Sequence, residues 1–227
     1  MCGRFTLTTS ADELAESFDL PKMPSIEPRY NIAPTQKVAG VLQDAKGAGR
    51  GFQWFHWGLI PSWATDPAIG NRMINARAET IIEKPAFRNA FKRRRCLVLA
   101  DGFYEWRKLA KGKQPVYIRM ADAKPFAFAA LWEHWNGPGD SAIDSCTLIT
   151  TTPNERIEPI HDRMPVILAP KNYDRWLDPK NEDVAALQKL LVAYPAKGMT
   201  VYPVGKRVNA PTFDDPACIR ALEKTGE

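Results

Sequence analysis

The feature that most limits the fold is a series of short segments in the middle of the chain, rich in β-branched and aromatic residues. Each segment is five to seven residues long, and together they cover residues 96–100, 103–107, 116–120, 126–132 and 146–152. This length is typical of strands and too short for most helices. Further strands are predicted at residues 4–8, 37–42, 51–58 and 200–204, with a glycine-rich turn at 46–51. The pattern predicts an α+β fold dominated by strands.

Helices are predicted at fewer places and are expected to be short. Ser10 and Glu13 have the spacing of a capping box, which predicts a helix start at that point. A second helix is predicted over residues 85–95, and others over 171–177, 183–192 and 217–223. No internal repeat or low-complexity linker divides the 227 residues. We expect one domain over residues 1–227, with a core from about 2 to 210 and a tail helix over 217–223.

The composition limits the classes of function. Lysine and arginine total 31 against 26 acidic residues, a net charge of +5 that permits a polyanionic partner without demonstrating one. The four cysteines, at positions 2, 96, 146 and 218, share no CxxC spacing, so neither a zinc site nor a disulfide framework is predicted. We expect no metal and no cofactor. No apolar run reaches about 18 residues, which predicts a soluble intracellular protein.

The second residue carries unusual chemistry. A small residue after Met1 lets methionine aminopeptidase remove that methionine, so the mature chain would begin at Cys2. Its α-amine, with a pKa of about 8, and its thiol, with a pKa of about 8.5, would then lie on adjacent carbons. The amine condenses with an aldehyde to an imine, and the thiol closes onto it as a five-membered thiazolidine, with the high effective molarity of an intramolecular step.

Three further groups of residues point to chemistry or to nucleic acid. Trp63 follows a proline in an irregular stretch and is a base-stacking candidate, whereas Trp54 and Trp57 are expected in the core. Asn75, Arg77 and Glu79 alternate, so an extended segment over 74–80 would present them on one face. The basic run at 92–95 ends a predicted helix, which suits either a solvated helix end or a phosphate-binding patch.

Two titratable residues are candidate proton carriers. Glu105 lies between Tyr104 and Trp106, where loss of solvent would raise its pKa; a structural ion pair with an arginine is the alternative. His161 lies just before a predicted strand, between charged neighbours.

Several motifs, in order along the chain, resemble one known family. They are Cys2-Gly3-Arg4-Phe5, Arg29-Tyr30-Asn31 with Ala33-Pro34, Trp57-Gly58-Leu59-Ile60-Pro61-Ser62-Trp63, Asn75-Ala76-Arg77-Ala78-Glu79-Thr80, Asp101-Gly102-Phe103-Tyr104-Glu105-Trp106, His161-Asp162-Arg163-Met164-Pro165 and Val208-Asn209. Together they resemble the SOS-response-associated peptidase (SRAP) family, the abasic-site processing proteins. The resemblance covers residues 2 to about 209 and implies a mixed, barrel-like β core with peripheral helices.

The resemblance also implies an activity and a set of catalytic residues. Family members act on abasic sites in single-stranded DNA, and such a site is a masked aldehyde. Cys2 would form a covalent thiazolidine DNA–protein cross-link that protects the lesion. Asn75 would hold the Cys2 backbone and the sugar, Glu105 would move protons during imine formation, and His161 would assist opening of the deoxyribose ring.

DNA contacts are implied by the same resemblance. Arg4 and Arg77 would bind phosphates, and Trp63 would stack on or wedge against a base at a junction of single and double strand. Ser62 stands where some members carry a second aromatic, which leaves the form of the wedge open. Further DNA contacts are expected from Trp106, Asn31, Pro34 and Asn209. The expected partner is single-stranded DNA with abasic sites, also at junctions with duplex, bound by a monomer in the cytoplasm at the nucleoid. Whether the replication machinery is a further partner is left open by the sequence.

Two other functions fit the same residues. A cysteine peptidase or N-terminal-nucleophile hydrolase would use Cys2 with His161 or Glu105 as base. A non-catalytic single-strand-binding module would not need Cys2 at all. Within the first interpretation, an imine that fails to close to the ring could undergo β-elimination and nick the strand, which would be a lyase activity.

Overall fold

A computed structural model describes residues 2–43, 49–139 and 141–223. In these ranges the chain forms short strands and shorter helices, in the order β1 Phe5–Leu7, α1 Ala11–Phe18, β2 Arg29–Ile32, β3 Lys37–Gln43, β4 Arg50–Trp57, β5 Asn75–Arg77, α2 Pro85–Arg93, β6 Arg95–Ala100, β7 Gly102–Lys108, β8 Lys113–Met120, β9 Phe126–Asn136, β10 Ala142–Thr151, β11 Met164–Pro165, β12 Ile167–Leu168, α3 Tyr173–Leu177, α4 Val184–Gln188 and β13 Met199–Pro203. The described part of the chain has no helix long and apolar enough to cross a membrane.

Five strands close into a barrel. β4 pairs with β3, β3 with β6, β6 with β9 and β9 with β10, all antiparallel, and β10 returns to β4 in parallel. The parallel pairing sets Cys146 opposite Trp57, and the antiparallel one sets Cys146 opposite Trp132. The predicted strand-dominated α+β fold with a mixed, barrel-like β core is confirmed.

A second, antiparallel sheet has the strand order β13, β8, β7, β1, β2, so the N-terminal strand β1 lies inside the sheet, between β7 and β2. Phe5 of β1 pairs with Ile32 on one side and with Phe103 on the other. Its ring packs 5.1 Å from Trp57 and 5.6 Å from Phe128, centroid to centroid, so the sheet is joined to the barrel through this side chain. The first residues of the chain are therefore held inside the structure.

The buried carboxylate of Asp101 fixes the chain just after β1. It accepts hydrogen bonds from the hydroxyl groups of Thr6 (2.5 Å), Thr8 (2.8 Å) and Thr9 (3.0 Å), and from the backbone N–H groups of Thr8 and Thr9. Because a carboxylate offers several acceptor positions, it satisfies all of these donors at once. We call this the Asp101 clamp.

Local signals located most elements correctly, and the differences have identifiable causes. Ser10 caps α1 by accepting from the Glu13 N–H at 3.3 Å, in line with the capping box. The extended segment expected over 74–80 shortens to β5, because residues 78–80 turn into a 3-10 helix. The tail forms a 3-10 turn at Pro216–Ile219 instead of a helix over 217–223, since Ala221 is drawn into a β-bridge with Val204. Part of the turn predicted at 46–51 lies outside the described residues.

The basic run at 92–95 is divided among different roles. Arg95 is buried, and its guanidinium donates to five backbone carbonyls, among them those of Phe91 (2.7 Å) and Trp176 (2.6 Å). Burial lowers the pKa of Arg95 to about 10. Arg94 pairs with Glu133 at 2.6 Å and Arg93 with Glu182 at 3.0 Å. Neither a continuous phosphate patch nor a wholly solvated helix end describes this segment.

Candidate active site

Cys2 is buried, and two flanking strands hold the backbone around it. Asn75 of β5 donates a 2.8 Å hydrogen bond from Nδ2 to the Cys2 carbonyl oxygen. Two residues further on, the Arg4 carbonyl accepts from the Tyr104 N–H of β7 at 2.9 Å. The chain start is thus tied to the barrel through Asn75 and to the second sheet through Tyr104.

Glu105 of β7 lies beside Cys2 as a consequence of strand register. Phe5 pairs with Phe103, so continuing the antiparallel register sets Glu105 opposite residue 3. The side chain is 2% exposed, and burial raises the pKa of Glu105 to about 7. Burial also raises the pKa of the Cys2 thiol, and the neighbouring Glu105 carboxylate raises it further. The site therefore keeps the thiol protonated next to a carboxyl group that titrates near neutrality.

His161, in the turn before β11, has a defined tautomer. Its Nδ1 accepts a 3.0 Å hydrogen bond from the Arg163 N–H. Burial lowers the pKa of His161, so the ring is neutral at neutral pH and carries its proton on Nε2. Asp162 Oδ1 lies 2.8 Å from the same Nδ1 and would become its partner only in the protonated ring. Neutral His161 therefore presents Nε2 as a hydrogen-bond donor.

An ion pair links the Asn75 strand to the His161 turn. Arg163 donates to both carboxylate oxygens of Glu79, at 2.8 and 2.9 Å, and to the Thr150 carbonyl at 2.7 Å. Hydrogen bonding to Arg163 lowers the pKa of Glu79. This pair was not predicted from the sequence. Glu79 and Arg163 belong to two separate motifs, and nothing in the local sequence of either motif indicates that the two are in contact. The alternation that predicted Glu79 on the face of Asn75 and Arg77 ends at β5.

Four of the residues expected to bind DNA form one network at the other side of Cys2. Arg4 Nη1 donates to Asn31 Oδ1 and to the Val208 carbonyl, both at 2.7 Å. The Arg4 guanidinium lies 5.8 Å from the Trp106 ring centre, and Trp106 Nε1 donates to Asn209 Oδ1 at 2.8 Å. Asn31 itself is fully buried. The network orients Arg4 and Trp106 and commits one Arg4 nitrogen to protein.

An open pocket of about 370 Å³ adjoins Asn75 on its solvent side. Arg77 and Lys84 contribute positive charge to it, and Phe87 contributes an apolar wall. Trp63, which also lines the pocket, is 61% exposed. The lining is completed by Met73, Thr80, Pro85 and Ala86.

The other tryptophans and Pro34 lie apart from this pocket. Trp57 is fully buried, as predicted, but Trp54 is 40% exposed and stands edge-on to Phe52, so its assignment to the core was wrong. Pro34 is half-buried in the turn before β3, where the next residue, Thr35, donates to the Trp57 carbonyl at 2.8 Å. No group of three or more His, Cys, Asp or Glu residues in the described ranges is arranged to hold a metal ion.

Several proteins have sequences that match this chain over nearly its full length. The abasic site processing protein YoqW of Bacillus subtilis is 46% identical over 225 residues, covering 97% of this chain and 100% of the relative. The abasic site processing protein YedK of Escherichia coli is 30% identical, covering 92% and 94%. The abasic site processing protein HMCES of Xenopus tropicalis is 30% identical, covering 98% and 78%.

Solved structures and the family profile agree with these relatives. A crystal structure of a protein from Bacteroides thetaiotaomicron matches with a TM-score of 0.85 at 25% identity, covering 97% of this chain and all of that one. A phage-related protein from Bordetella bronchiseptica matches with a TM-score of 0.71 at 29% identity, covering 89% and 94%. The profile described as SOS response associated peptidase (SRAP) matches residues 1–211. The chain belongs to the SRAP family.

Proposed function

We propose that the mature chain, beginning at Cys2, captures abasic sites in single-stranded DNA as a covalent thiazolidine. The observation that carries the proposal is the position of Cys2 between Asn75, which binds its carbonyl, and Glu105, whose pKa is about 7. Relatives that match nearly the whole chain are named abasic site processing proteins, which supports the same substrate here.

The reaction proceeds in balanced steps. The opened deoxyribose presents an aldehyde, which the Cys2 amine attacks to give a carbinolamine. Loss of one water gives the imine. The thiol sulfur then bonds to the imine carbon, and the thiol proton passes to the nitrogen, which closes the thiazolidine ring. One water is released overall, and no oxidant or reductant is needed.

The described side chains supply the proton transfers. The Glu105 carboxyl group populates both protonation states near neutral pH, so it protonates the departing hydroxyl of the carbinolamine, recovers a proton from the nitrogen as the imine forms, and relays the proton of the attacking thiol to that nitrogen. His161, neutral and protonated on Nε2, donates to the ring oxygen of the closed sugar and assists its opening. Asn75 holds the Cys2 backbone so that amine and thiol face the same carbon.

DNA is bound mainly through its backbone and one stacked base. Arg77 at the open pocket, and Arg4 through its second terminal nitrogen, Nη2, contact phosphates. Trp63 offers an exposed aromatic face for a base beside the lesion. Trp106 and Asn209 steady Arg4, while Asn31 and Pro34 shape the surrounding backbone. Such contacts read no sequence, which suits a lesion that arises anywhere.

The raised thiol pKa favours this function over a peptidase that cleaves in trans. Thiol peptidases need a thiolate at neutral pH, and their cysteines have lowered pKa values. Here burial and Glu105 act in the opposite direction. Thiazolidine closure tolerates a thiol that loses its proton only as it attacks the imine.

The proposal is tested on a denaturing gel. Untagged protein is first incubated with a single-stranded oligonucleotide that carries one abasic site. We expect a heat-stable adduct whose intact mass equals protein without Met1 plus DNA minus one water. The adduct should be absent for Cys2→Ala and for a chain with a residue inserted between Met1 and Cys2. Peptide cleavage with no adduct would overturn the proposal in favour of the peptidase.

A lyase side reaction follows from the same imine. In Cys2→Ala the amine remains but ring closure is impossible, so the imine persists and β-elimination can cut the strand. Borohydride should then trap a reduced adduct, and strand cleavage should exceed that of the unaltered protein. A Cys2→Ala protein that gives neither product would rule the lyase reaction out. The non-catalytic binding module would be favoured if the unaltered protein formed no adduct and loss of Cys2 left DNA binding unaffected.

A further inference from the structure

We propose that Lys84, Arg88 and Lys92, along one face of α2, form a phosphate-binding ridge that extends the DNA path beyond the lesion. The partner is the phosphodiester backbone of the damaged strand or of the duplex next to it. This inference rests on the proposed function and adds a second contact region to it.

The three side chains are aligned by helical spacing. They lie four residues apart, at the N-cap of α2, in its first turns and in its last turn, and all three residues are exposed. Residues four apart are neighbours on a helix surface. Eight residues at about 1.5 Å each give a ridge of about 12 Å, the axial length of about three to four nucleotides of stacked strand.

Their charges are available, in contrast to the other cations nearby. Arg93 and Arg94 are paired with Glu182 and Glu133, and Arg95 is buried among carbonyls. Over residues 2–43, 49–139 and 141–223, the ion pairs and side-chain hydrogen bonds do not include Lys84, Arg88 or Lys92. The helix Pro85–Arg93 also contains no acidic residue.

Helix stability does not account for the ridge. A cation near a helix N-terminus is unfavourable to the helix dipole, and Lys84 occupies the N-cap without a side-chain capping bond. Lys92 suits the dipole, but Lys84 does not. A bound phosphate would reverse the penalty at the N-terminal end, since anions are favoured there.

The ridge continues directly from the pocket at the active site. Lys84 lines that pocket together with Trp63, Arg77 and Asn75, and Asn75 binds the Cys2 carbonyl. A strand that leaves the lesion past Trp63 therefore meets the N-terminal end of α2 first and can follow its exposed face to Lys92.

The test compares two triple variants that lose equal charge. One is Lys84→Gln with Arg88→Gln and Lys92→Gln; the control is Lys171→Gln with Lys189→Gln and Lys197→Gln, three exposed lysines on other elements. The dissociation constant for single-stranded DNA is measured by fluorescence anisotropy at several salt concentrations. The slope of log affinity against log salt should become shallower by about 2 for the ridge variant, at about 0.7 per single-strand phosphate contact. The control should keep the slope of the unaltered protein.

Substrate design separates the two sources of phosphate. Oligonucleotides are single-stranded throughout, or carry a duplex on the 5′ side or on the 3′ side of the lesion. If the salt slope becomes shallower only with one duplexed substrate, by about 0.9 per phosphate contact, the ridge is assigned to that duplex arm. An equal loss with the fully single-stranded oligonucleotide assigns it to the single strand.

The outcomes also separate this inference from the proposed function. If the unaltered protein forms no adduct, the proposed function fails whatever the ridge does. If it forms the adduct and the ridge variant matches the control in slope with every substrate, the ridge is overturned. Thermal unfolding verifies the fold of each variant. If the triple variant is unfolded, Arg88→Gln alone should make the salt slope shallower by about 0.7. An unchanged slope for Arg88→Gln would then reject the ridge.

Discussion

Asn75 binds the backbone of Cys2 through a 2.8 Å hydrogen bond that spans two layers of the fold. Asn75 belongs to β5, which pairs with β10 of the barrel, whereas Cys2 leads into β1 of the second sheet. The bond therefore fixes the backbone of Cys2 relative to the barrel.

Replacing Asn75 should slow capture without unfolding the protein. Asn75→Ala removes one hydrogen bond of about 1 kcal/mol, and a displacement of the Cys2 backbone adds to the loss. We expect the single-turnover rate of adduct formation to fall by about 10-fold, with DNA affinity changed by less than about 2-fold. Asn71→Ala, at an exposed position nearby, is the control. Equal rates for both variants would contradict the assigned role of Asn75.

Glu105 should make the protein less stable as the pH rises. Its pKa is raised from 4.5 to about 7 by burial, so between these pH values the folded state binds more protons than the unfolded state. Stability from the protonated carboxyl group is complete below about pH 4.5 and is lost as the pH rises through 7. The difference corresponds to about 3 kcal/mol at pH 8.

Glu105→Gln isolates this effect, because the amide is uncharged at every pH. Urea unfolding should find the variant more stable than the unaltered protein at pH 8, with the difference shrinking toward pH 4. Adduct formation should slow and lose its inflection near pH 7. A stability difference that does not depend on pH would contradict the raised pKa.

Loss of the Asp101 clamp should release the strand that follows Cys2. Asp101→Asn replaces one carboxylate oxygen by an NH₂ group, which faces donors from Thr8 and Thr9 and cannot accept from them. Unsatisfied buried donors cost about 1–3 kcal/mol each, so we expect a loss of about 2–4 kcal/mol in urea unfolding. Asp19→Asn, at an exposed left-handed position that tolerates asparagine, should change stability by less than about 0.5 kcal/mol.

Loss of the ion pair between Arg163 and Glu79 should affect the sugar ring opening assigned to His161 more than the free energy of unfolding. Glu79 is 45% exposed on its side chain, so the pair contributes less than about 1 kcal/mol. Arg163→Lys keeps the charge but loses the two-pronged contact and the bond to the Thr150 carbonyl. We expect adduct formation to slow by about 5-fold with a closed-ring abasic substrate, by analogy with the loss of one hydrogen bond of about 1 kcal/mol. An acyclic aldehyde substrate needs no ring opening and should react at an unchanged rate; equal slowing with both substrates would contradict a role through His161.

Trp63 should contribute to affinity rather than to chemistry. Base stacking on an aromatic side chain is worth about 1–3 kcal/mol, so Trp63→Ala should weaken single-strand binding by about 5- to 150-fold. Adduct formation at saturating DNA should change little. Trp54→Ala removes another partly exposed tryptophan and provides the control. Comparable losses from both would mean that the effect is not specific to the pocket.

The sequence allowed the strands to be predicted but not how the barrel closes. Residues 126–132 and 146–152 show strand character in their own side chains. The pairing of β10 in parallel with β4 depends on a closed register between segments about 90 residues apart, as in Cys146 opposite Trp57. Local patterns hold no information about such pairings, because the deciding contacts form only in the assembled sheet.

The sequence predicted the residues of the candidate site better than the contacts that hold them in place. Glu105 was identified because aromatic neighbours on a strand imply burial, and the structure gives it a raised pKa. The burial of Arg95 was not foreseen, since its acceptors are carbonyls as distant as Trp176. The Arg163–Glu79 pair escaped notice for the same reason: each motif is visible alone, but their meeting is a property of the fold.

The interior position of β1, between β7 and β2, determines when the residues around Cys2 come together. Phe5 pairs with Ile32 and Phe103, so the first residues to be synthesised can meet β2 early but meet β7 only after more than a hundred residues have been made. Such distant pairings form slowly compared with local ones. If the mature chain begins at Cys2 as proposed, a newly made or unfolded chain would carry the same aminothiol without Asn75, Glu105 or His161 around it, and would react with any cellular aldehyde unselectively. Under the proposed function, folding would therefore be the first step that restricts which aldehydes Cys2 reacts with, earlier than any contact with DNA.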